Sequence, residues 1–207
     1  MKLYLSSYKL GNKTDYLKEW IKEHGNNILM ISNAKDDKPF DEEEKEKLEY
    51  NVKVLEDVGF NVTLLDLRQY FNNNDKLMDD IRGYNAFFVR GGNTFVLRKA
   101  MSLSGFDKFL VNNKTNDKIL YIGESAGTCV LAKNLDGVDI EDNPINVYND
   151  DVVMYEGVGL LDFSPVPHYK SEYVDNKIID DTIDYMKKNN IEYKTIKDGE
   201  VIIFELS

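Results

Sequence analysis

Ile119-Leu-Tyr-Ile-Gly-Glu-Ser-Ala-Gly-Thr-Cys-Val-Leu-Ala132 joins an apolar strand to an apolar helix start through a turn of small residues. Within it, Gly123-Glu-Ser125-Ala-Gly127 fits Gly-x-Ser-x-Gly in the strand–turn–helix setting that this pattern requires. The flanking glycines let backbone approach closely where a side chain would clash. A serine on so sharp a turn holds its hydroxyl above the sheet edge. The helix that follows aims its free N–H groups, beginning with that of Ala126, at any oxyanion formed there. A strand–helix turn built of small residues for packing alone is the bland alternative. The setting favours Ser125 as a nucleophile.

Working outward, the chain alternates strand and helix patterns. Apolar runs at Leu3–Ser6, Ile28–Ser32, Val62–Leu67, Ala86–Val89 and Ile119–Ile122 read as strands. Tyr16–His24, Asp41–Val58, Asp75–Ile81, Thr94–Leu103, Phe106–Asn112 and Ser171–Lys188 read as helices, with Leu48, Val52, Leu55 and Val58 on one face of the second. The tail Glu192–Thr195, Lys197-Asp-Gly-Glu200, Val201–Leu206 reads as a hairpin with an Asp-Gly turn. Strands apolar throughout, alternating with helices, imply a mostly parallel sheet covered on both faces. Binding sites in such sheets lie beyond the carboxyl ends of the strands. The acidic run Asp41-Glu-Glu-Glu-Lys-Glu reads as a solvated first turn complementing the helix dipole, and His24 as a cation near a helix C-terminus.

The chain's 207 residues suit one domain spanning 1–207, and no Pro/Gly/Ser-rich linker or repeat divides them. Lys+Arg 26 against Asp+Glu 37 gives a net charge of −11, a field that repels phosphate backbones and argues against nucleic acid. The longest apolar runs, about five residues, fall far short of the roughly 18 that span a bilayer. The short apolar part of the N-terminus does not make a signal peptide, so the cytoplasm is the expected compartment. Cys129 is the only cysteine, which excludes an internal disulfide. With two histidines beside it, an ordinary zinc site is disfavoured, and no metal or cofactor is expected. A homodimer is compatible with the sequence, which does not establish one.

A serine hydroxyl needs a base. His24 belongs to an early helix. His168 lies in Phe163-Ser-Pro-Val-Pro-His-Tyr-Lys170, where Pro165 and Pro167 stiffen the chain around the imidazole. His168 is therefore the expected base, with a structural loop histidine as the alternative. A carboxylate should fix its tautomer. If the acid falls between serine and histidine, eight candidates remain: Asp136, Asp139, Glu141, Asp142, Asp150, Asp151, Glu156 and Asp162. Sequence physics does not choose among them. A second strand–glycine–helix segment, Phe87-Phe-Val-Arg-Gly91-Gly92-Asn-Thr-Phe95, lacks both the Gly-x-Gly-x-x-Gly and P-loop signatures. It reads as a second oxyanion donor, or as a plain helix cap on Asn93 or Thr94.

Val89-Arg-Gly-Gly-Asn-Thr-Phe95, Tyr121-Ile-Gly-Glu-Ser-Ala-Gly127, Asp142-Asn-Pro-Ile145 and Pro167-His-Tyr169 together resemble the dipeptidase E family of serine peptidases, to which cyanophycinases are related. The resemblance implies a three-layer α/β/α sandwich like that of class I glutamine amidotransferases, and hydrolysis of short peptides through an acyl-enzyme. It implies Ser125 as nucleophile, His168 as base and Asp142 as the acid. It implies an oxyanion hole from Gly91 or Gly92 with Ala126. It also turns attention to Asn93, Glu124, Tyr169 and Lys170 as substrate contacts. Two departures stand out. Glu124 replaces the tryptophan usual before the nucleophile, and 169–177 lacks the arginine with which aspartyl dipeptidases hold an acidic side chain. Lys170 or Lys177 offers only a point charge. The competing readings are a cysteine-dependent amidase using Cys129, whose bland reading is a small core residue, and a non-catalytic peptide or small-molecule sensor.

Overall fold

All residues of β4 (Ala86–Val89) and β5 (Leu120–Glu124) are buried. Alternate side chains of a strand face opposite ways, so strands buried throughout need cover on both sides. The computed structural model, which describes residues 1–148 and 152–206, supplies it. The remaining strands of the main sheet are β1 (Lys2–Ser6), β2 (Asn27–Ile31), β3 (Asn61–Leu65) and β8 (Val201–Glu205), in the order β3-β2-β4-β5-β1-β8. All neighbours are parallel except β8, which runs antiparallel to β1.

One face of the sheet presents Leu3, Leu5, Leu29, Ile31, Phe87 and Tyr121. Against it lie α3 (Asn74–Asp80), α4 (Thr94–Ser104) and α5 (Phe106–Asn112), through Leu77, Leu97, Met101, Phe106 and Leu110. The other face presents Tyr4, Ile28, Met30, Phe88 and Ile122 to α1 (Thr14–His24) and α2 (Glu42–Val58), through Leu17, Trp20 and Leu55. This is the expected three-layer α/β/α architecture. Among the described residues, no helix is long and apolar enough to cross a membrane.

Local chemistry sets the boundaries. The Asp41 carboxylate accepts the Glu44 N–H and starts α2, and Gly59, with φ of 117°, ends it. The acidic run is not all solvated. Glu44 reaches inward to the Arg90 guanidinium at 2.7 Å, and both side chains are largely buried. His24 stacks on Trp20 at 4.8 Å between ring centres, and its Nδ1 lies 3.2 Å from the Trp20 carbonyl. The Val62–Leu67 expectation shortens, because Leu67–Tyr70 forms a 3-10 turn whose start is capped by the Asp66 carboxylate.

The tail differs from the expected hairpin. β7 (Tyr193–Thr195) pairs in parallel with β6 (Ser164–Val166), a strand within the Pro-rich segment, while β8 joins β1. Residues 196–200 therefore cross between two sheets instead of turning back on one. α7 (Asn176–Lys188) covers the small sheet with Ile179, Ile183 and Met186. The crossing lies above the carboxyl end of β1, beside the segment that leaves β6, and Ile196 N–H donates to the Val166 carbonyl.

Candidate active site

Ser125 follows β5 with φ of 48° and ψ of −110°, a conformation that costs a non-glycine residue about 1–3 kcal/mol. The surroundings hold it there. Ser125 N–H donates to the Ser6 carbonyl at 3.0 Å, and its own carbonyl accepts from Thr128 N–H at 2.7 Å. The buried Tyr121 hydroxyl donates to the Gly127 carbonyl at 2.6 Å. Both flanking glycines are sterically required. A Cβ on Gly127 would lie 2.3 Å from the Val89 carbonyl oxygen, and one on Gly123 would lie 2.6 Å from that of Gly127.

The carboxyl ends of β1, β5 and β4 lie side by side, so their loops converge on Ser125. From the β1 side, the Ser7 hydroxyl accepts His168 N–H at 2.7 Å. This helps hold His168 at φ of 59°, again in the left-handed region. The imidazole Nε2 then lies 3.0 Å from Ser125 Oγ, and Nδ1 lies 3.0 Å from Asp198 Oδ1. Asp198 stands on the crossing between β7 and β8. It also accepts from the Ser7 hydroxyl at 2.7 Å and from the Ser171 hydroxyl. Burial pushes its carboxyl up, but the Ser171 and Ser7 hydrogen bonds and the facing imidazole outweigh that and hold it below the usual carboxylate range. A carboxylate at Nδ1 fixes the proton there and leaves Nε2 to accept from the serine hydroxyl.

Asp142, expected beside the imidazole, lies elsewhere. Its Oδ2 accepts Thr94 N–H at 2.8 Å, at the N-terminus of α4. Burial raises its pKa, and the hydrogen bonding from Thr94 offsets part of the rise. An orphan helix N–H and the positive end of the helix dipole account for a carboxylate there. Asp136 and Asp139 hydrogen-bond within their own segment. Asp150 and Asp151 lie outside the described residues. Glu141 is only partly buried by surface exposure, yet its pKa is pushed up to about 8, by desolvation first and then by Asp142 and Asp198.

On the β4 side, Gly91 packs against the nucleophile: a Cβ there would sit 3.1 Å from Ser125 Cβ. Gly91 N–H is directed at Glu124 Oε2, at a long 3.4 Å. Gly92, with φ of 155°, passes so close to Ala34 that a Cβ would lie 2.2 Å from its carbonyl oxygen. Among the described residues, the N–H groups of Gly92 and Ala126 have no backbone acceptor outside the regular elements. Asn93 caps α4, its Oδ1 accepting from Phe95 and Val96 N–H and its Nδ2 donating to the Asn143 carbonyl. It is buried and fully engaged, which removes it from the substrate surface. Glu124 is also buried, and its carboxylate accepts Lys9 N–H at 2.7 Å as well as Gly91 N–H. It ties the β1 and β4 loops together across the site. Lys170 lies over the Tyr169 ring, outside the cleft that contains Ser125.

That cleft, of about 550 Å³, has Tyr8, Lys9, Lys35, Gly91, Ser125 and His168 in its walls. Burial pushes the Lys35 ammonium down, Glu44 opposes that, and Lys38 and Arg90 reinforce it. The Cys129 thiol is buried, 3.6 Å from the Pro165 carbonyl, and its pKa is pushed well up by burial and by Glu141 and Asp142. A thiol so placed is a core group and not a nucleophile. Among the described residues, no cluster of three or more His, Cys, Asp or Glu side chains is arranged to hold a metal ion.

Residues 5–206 match the family model for peptidase family S51. An uncharacterized peptidase of Listeria innocua is 30% identical over 161 residues, 75% of each chain. One of Listeria monocytogenes is 32% identical over 124 residues, covering 60% of this chain and 58% of its own. The fold matches a crystal structure of a candidate peptidase E from Listeria monocytogenes with a TM-score of 0.76, at 24% identity, over 100% of this chain and 98% of the other. A peptidase from an acI-B1 actinobacterium aligns with a TM-score of 0.68, at 15% identity, over 99% and 83% of the two chains.

Two stability predictions follow from this geometry. Gly127→Ala forces the turn apart at Val89 and is expected to cost about 1–3 kcal/mol or more in urea denaturation, the range of an overpacked core. Glu141 keeps its proton in the native state between its ordinary value of 4.5 and about 8, where the unfolded chain has released it. Stability contributed by that protonated form therefore falls as pH rises through this window. Glu141→Gln is expected to raise Tm by about 2–4 °C more at pH 9 than at pH 5; equal shifts at both would contradict it.

Proposed function

The chain belongs to peptidase family S51, a family of serine peptidases similar to dipeptidase E, and from that premise we propose that Ser125, His168 and Asp198 form its catalytic triad on short peptides. The observation that carries this reading is the unbroken hydrogen-bond line from Ser125 Oγ through the imidazole to Asp198. His168 Nε2 takes the hydroxyl proton as Ser125 attacks the scissile carbonyl, and then delivers it to the leaving amine. Asp198 holds the ring and stabilises the imidazolium formed on the way. In this reading Ala126 N–H and Gly92 N–H donate to the oxyanion, where preorganised donors are worth most, while Gly91 N–H is turned toward Glu124. Water then attacks the acyl-Ser125 ester by the same proton relay in reverse.

The triad order is serine, histidine, acid. In this reading Asp142 organises the start of α4 and takes no proton-relay part. The modest cleft supports a short peptide over an unfolded chain. The pairing of β1 with β8 supports residues 1–207 as one domain, because the two ends of the sequence share one sheet.

Ser125→Ala and His168→Gln are each expected to lower kcat by about 10³-fold or more with Tm little changed, and fluorophosphonate should label Ser125 in the unaltered protein, located by peptide mass mapping. Asp198→Asn should slow phosphonylation by a similar order, whereas Asp142→Asn should affect stability more than rate. Full turnover in the Ser125→Ala protein would refute the nucleophile. A larger rate loss from Asp142→Asn than from Asp198→Asn would return the acid to the earlier position.

A further inference from the structure

A second cavity, of about 240 Å³, opens beside the serine cleft, between α2 and the carboxyl ends of β2 and β3. The chain steps outward from β2 to β3 and returns to β4 on the other side of β2. Ligands of open parallel sheets bind at such reversals. Lys35 and Arg90 stand in the walls of both cavities. Ser125 and His168 line only the first, so the proton relay makes no use of the second.

The walls of this second cavity divide into two kinds of surface. One is apolar. Met30 and Leu64 are register partners on neighbouring parallel strands and project from the same face. Leu48 joins them from α2, and Phe40 from the segment before it. α2 leaves this corner of the sheet uncovered: Leu64 is 54% exposed and Phe40 67%. The other surface is charged, and its acids are already engaged. Glu44 pairs with Arg90 at 2.7 Å. Asp66 accepts from the Arg68 guanidinium and from Asn33. Asp36 accepts from the Tyr148 hydroxyl at 2.5 Å and from Asn33 at 2.8 Å.

What is left over is a set of donors. The ammonium groups of Lys35 and Lys38 have no hydrogen-bonded or ion-paired partner among the described residues. The Ser32 hydroxyl, in the same wall, is buried and also lacks one. Buried polar groups without a partner are uncommon and costly. Burial also pushes the Lys35 ammonium down, and Glu44, which opposes that, is already committed to Arg90. An occupant of this cavity must therefore bring negative charge and an apolar body. It must bring no ammonium of its own, because each carboxylate in the walls already has its partners. That condition excludes free amino acids and peptides. An inorganic anion would leave the apolar wall facing water.

We propose that this cavity is a second ligand site, one that takes a small monocarboxylate with an aliphatic or aromatic body. Lys35 and Lys38 hold the carboxylate, and Met30, Leu48 and Leu64 receive the body. The inference does not depend on the chemistry at Ser125.

Calorimetric titration of the full-length protein with phenylacetate, hexanoate, phenylacetamide and sulfate tests it. The better carboxylate is expected to bind with a Kd of about 1 mM or tighter, and about tenfold or more ahead of the neutral amide and of sulfate, the scale of one charge-assisted hydrogen bond. Lys38→Met and Leu64→Asp, both at exposed positions, should each weaken that carboxylate about tenfold or more with Tm little changed. Lys38→Arg should retain most of the affinity. Tyr50→Ala alters a wall of the serine cleft alone and should leave the affinity as it was. No saturable binding of either carboxylate, or binding no tighter than that of phenylacetamide or sulfate, would overturn the proposal. Affinity that survives either Lys38→Met or Leu64→Asp would overturn it too, and a loss in Tyr50→Ala instead would place the carboxylate in the serine cleft.

Discussion

The Asp198 carboxylate accepts hydrogen bonds from Ser7, in the loop after β1, and from Ser171 and the His168 ring, in the loop after β6. Ser7 follows the first strand, His168 follows β6, and Asp198 itself lies between the last two strands. A carboxylate buried among apolar neighbours would tend to take up a proton. The three donors reverse that tendency and keep it charged. The same bonds lock the imidazole, whose backbone N–H is already held by Ser7. Acid, base and nucleophile are thus aligned by a single polar knot at the point where the two sheets meet.

The knot depends on a division of the C-terminal segment. Had residues 193–205 folded back as a local hairpin, Asp198 would have been an exposed turn residue. Instead β7 extends the small sheet beside β6 and β8 closes the edge of the main sheet against β1. The link between them must pass over the end of β1, where Ser7 and the nucleophile turn are found. The antiparallel addition of β8 covers β1 and makes β8 the edge strand opposite β3.

Much of this was legible in the residues. The apolar runs gave the strands of the parallel sheet, and Gly123–Gly127 marked the nucleophile turn because its glycines are forced by contacts of the kind that a steric argument anticipates. His168 was legible because only two histidines exist and one of them lies on an early helix. Asp198 was not, for two reasons. An Asp-Gly pair between two β-prone runs is the ordinary signature of a hairpin, and nothing local reveals that the runs pair with different distant strands. The serine–acid–histidine order usual for a nucleophile elbow also points to the stretch between Ser125 and His168, and Asp198 lies beyond it. Asp142 carried the motif but answers to the N-terminus of α4. The two departures from the family pattern fared differently. Glu124, expected among the substrate contacts, instead has its oxygens used by backbone N–H groups of two loops. The missing arginine after the histidine has no counterpart in Lys170, which lies away from the serine cleft.

The most direct test of the aligned knot is whether its members act as one unit. Fluorophosphonate inactivation rates should be measured for His168→Ala, Asp198→Ala and the double variant. If Asp198 works through the imidazole, the double variant should react no more slowly than His168→Ala alone. Losses that multiply across the two substitutions would mean that the carboxylate acts independently of the ring, and would contradict the account.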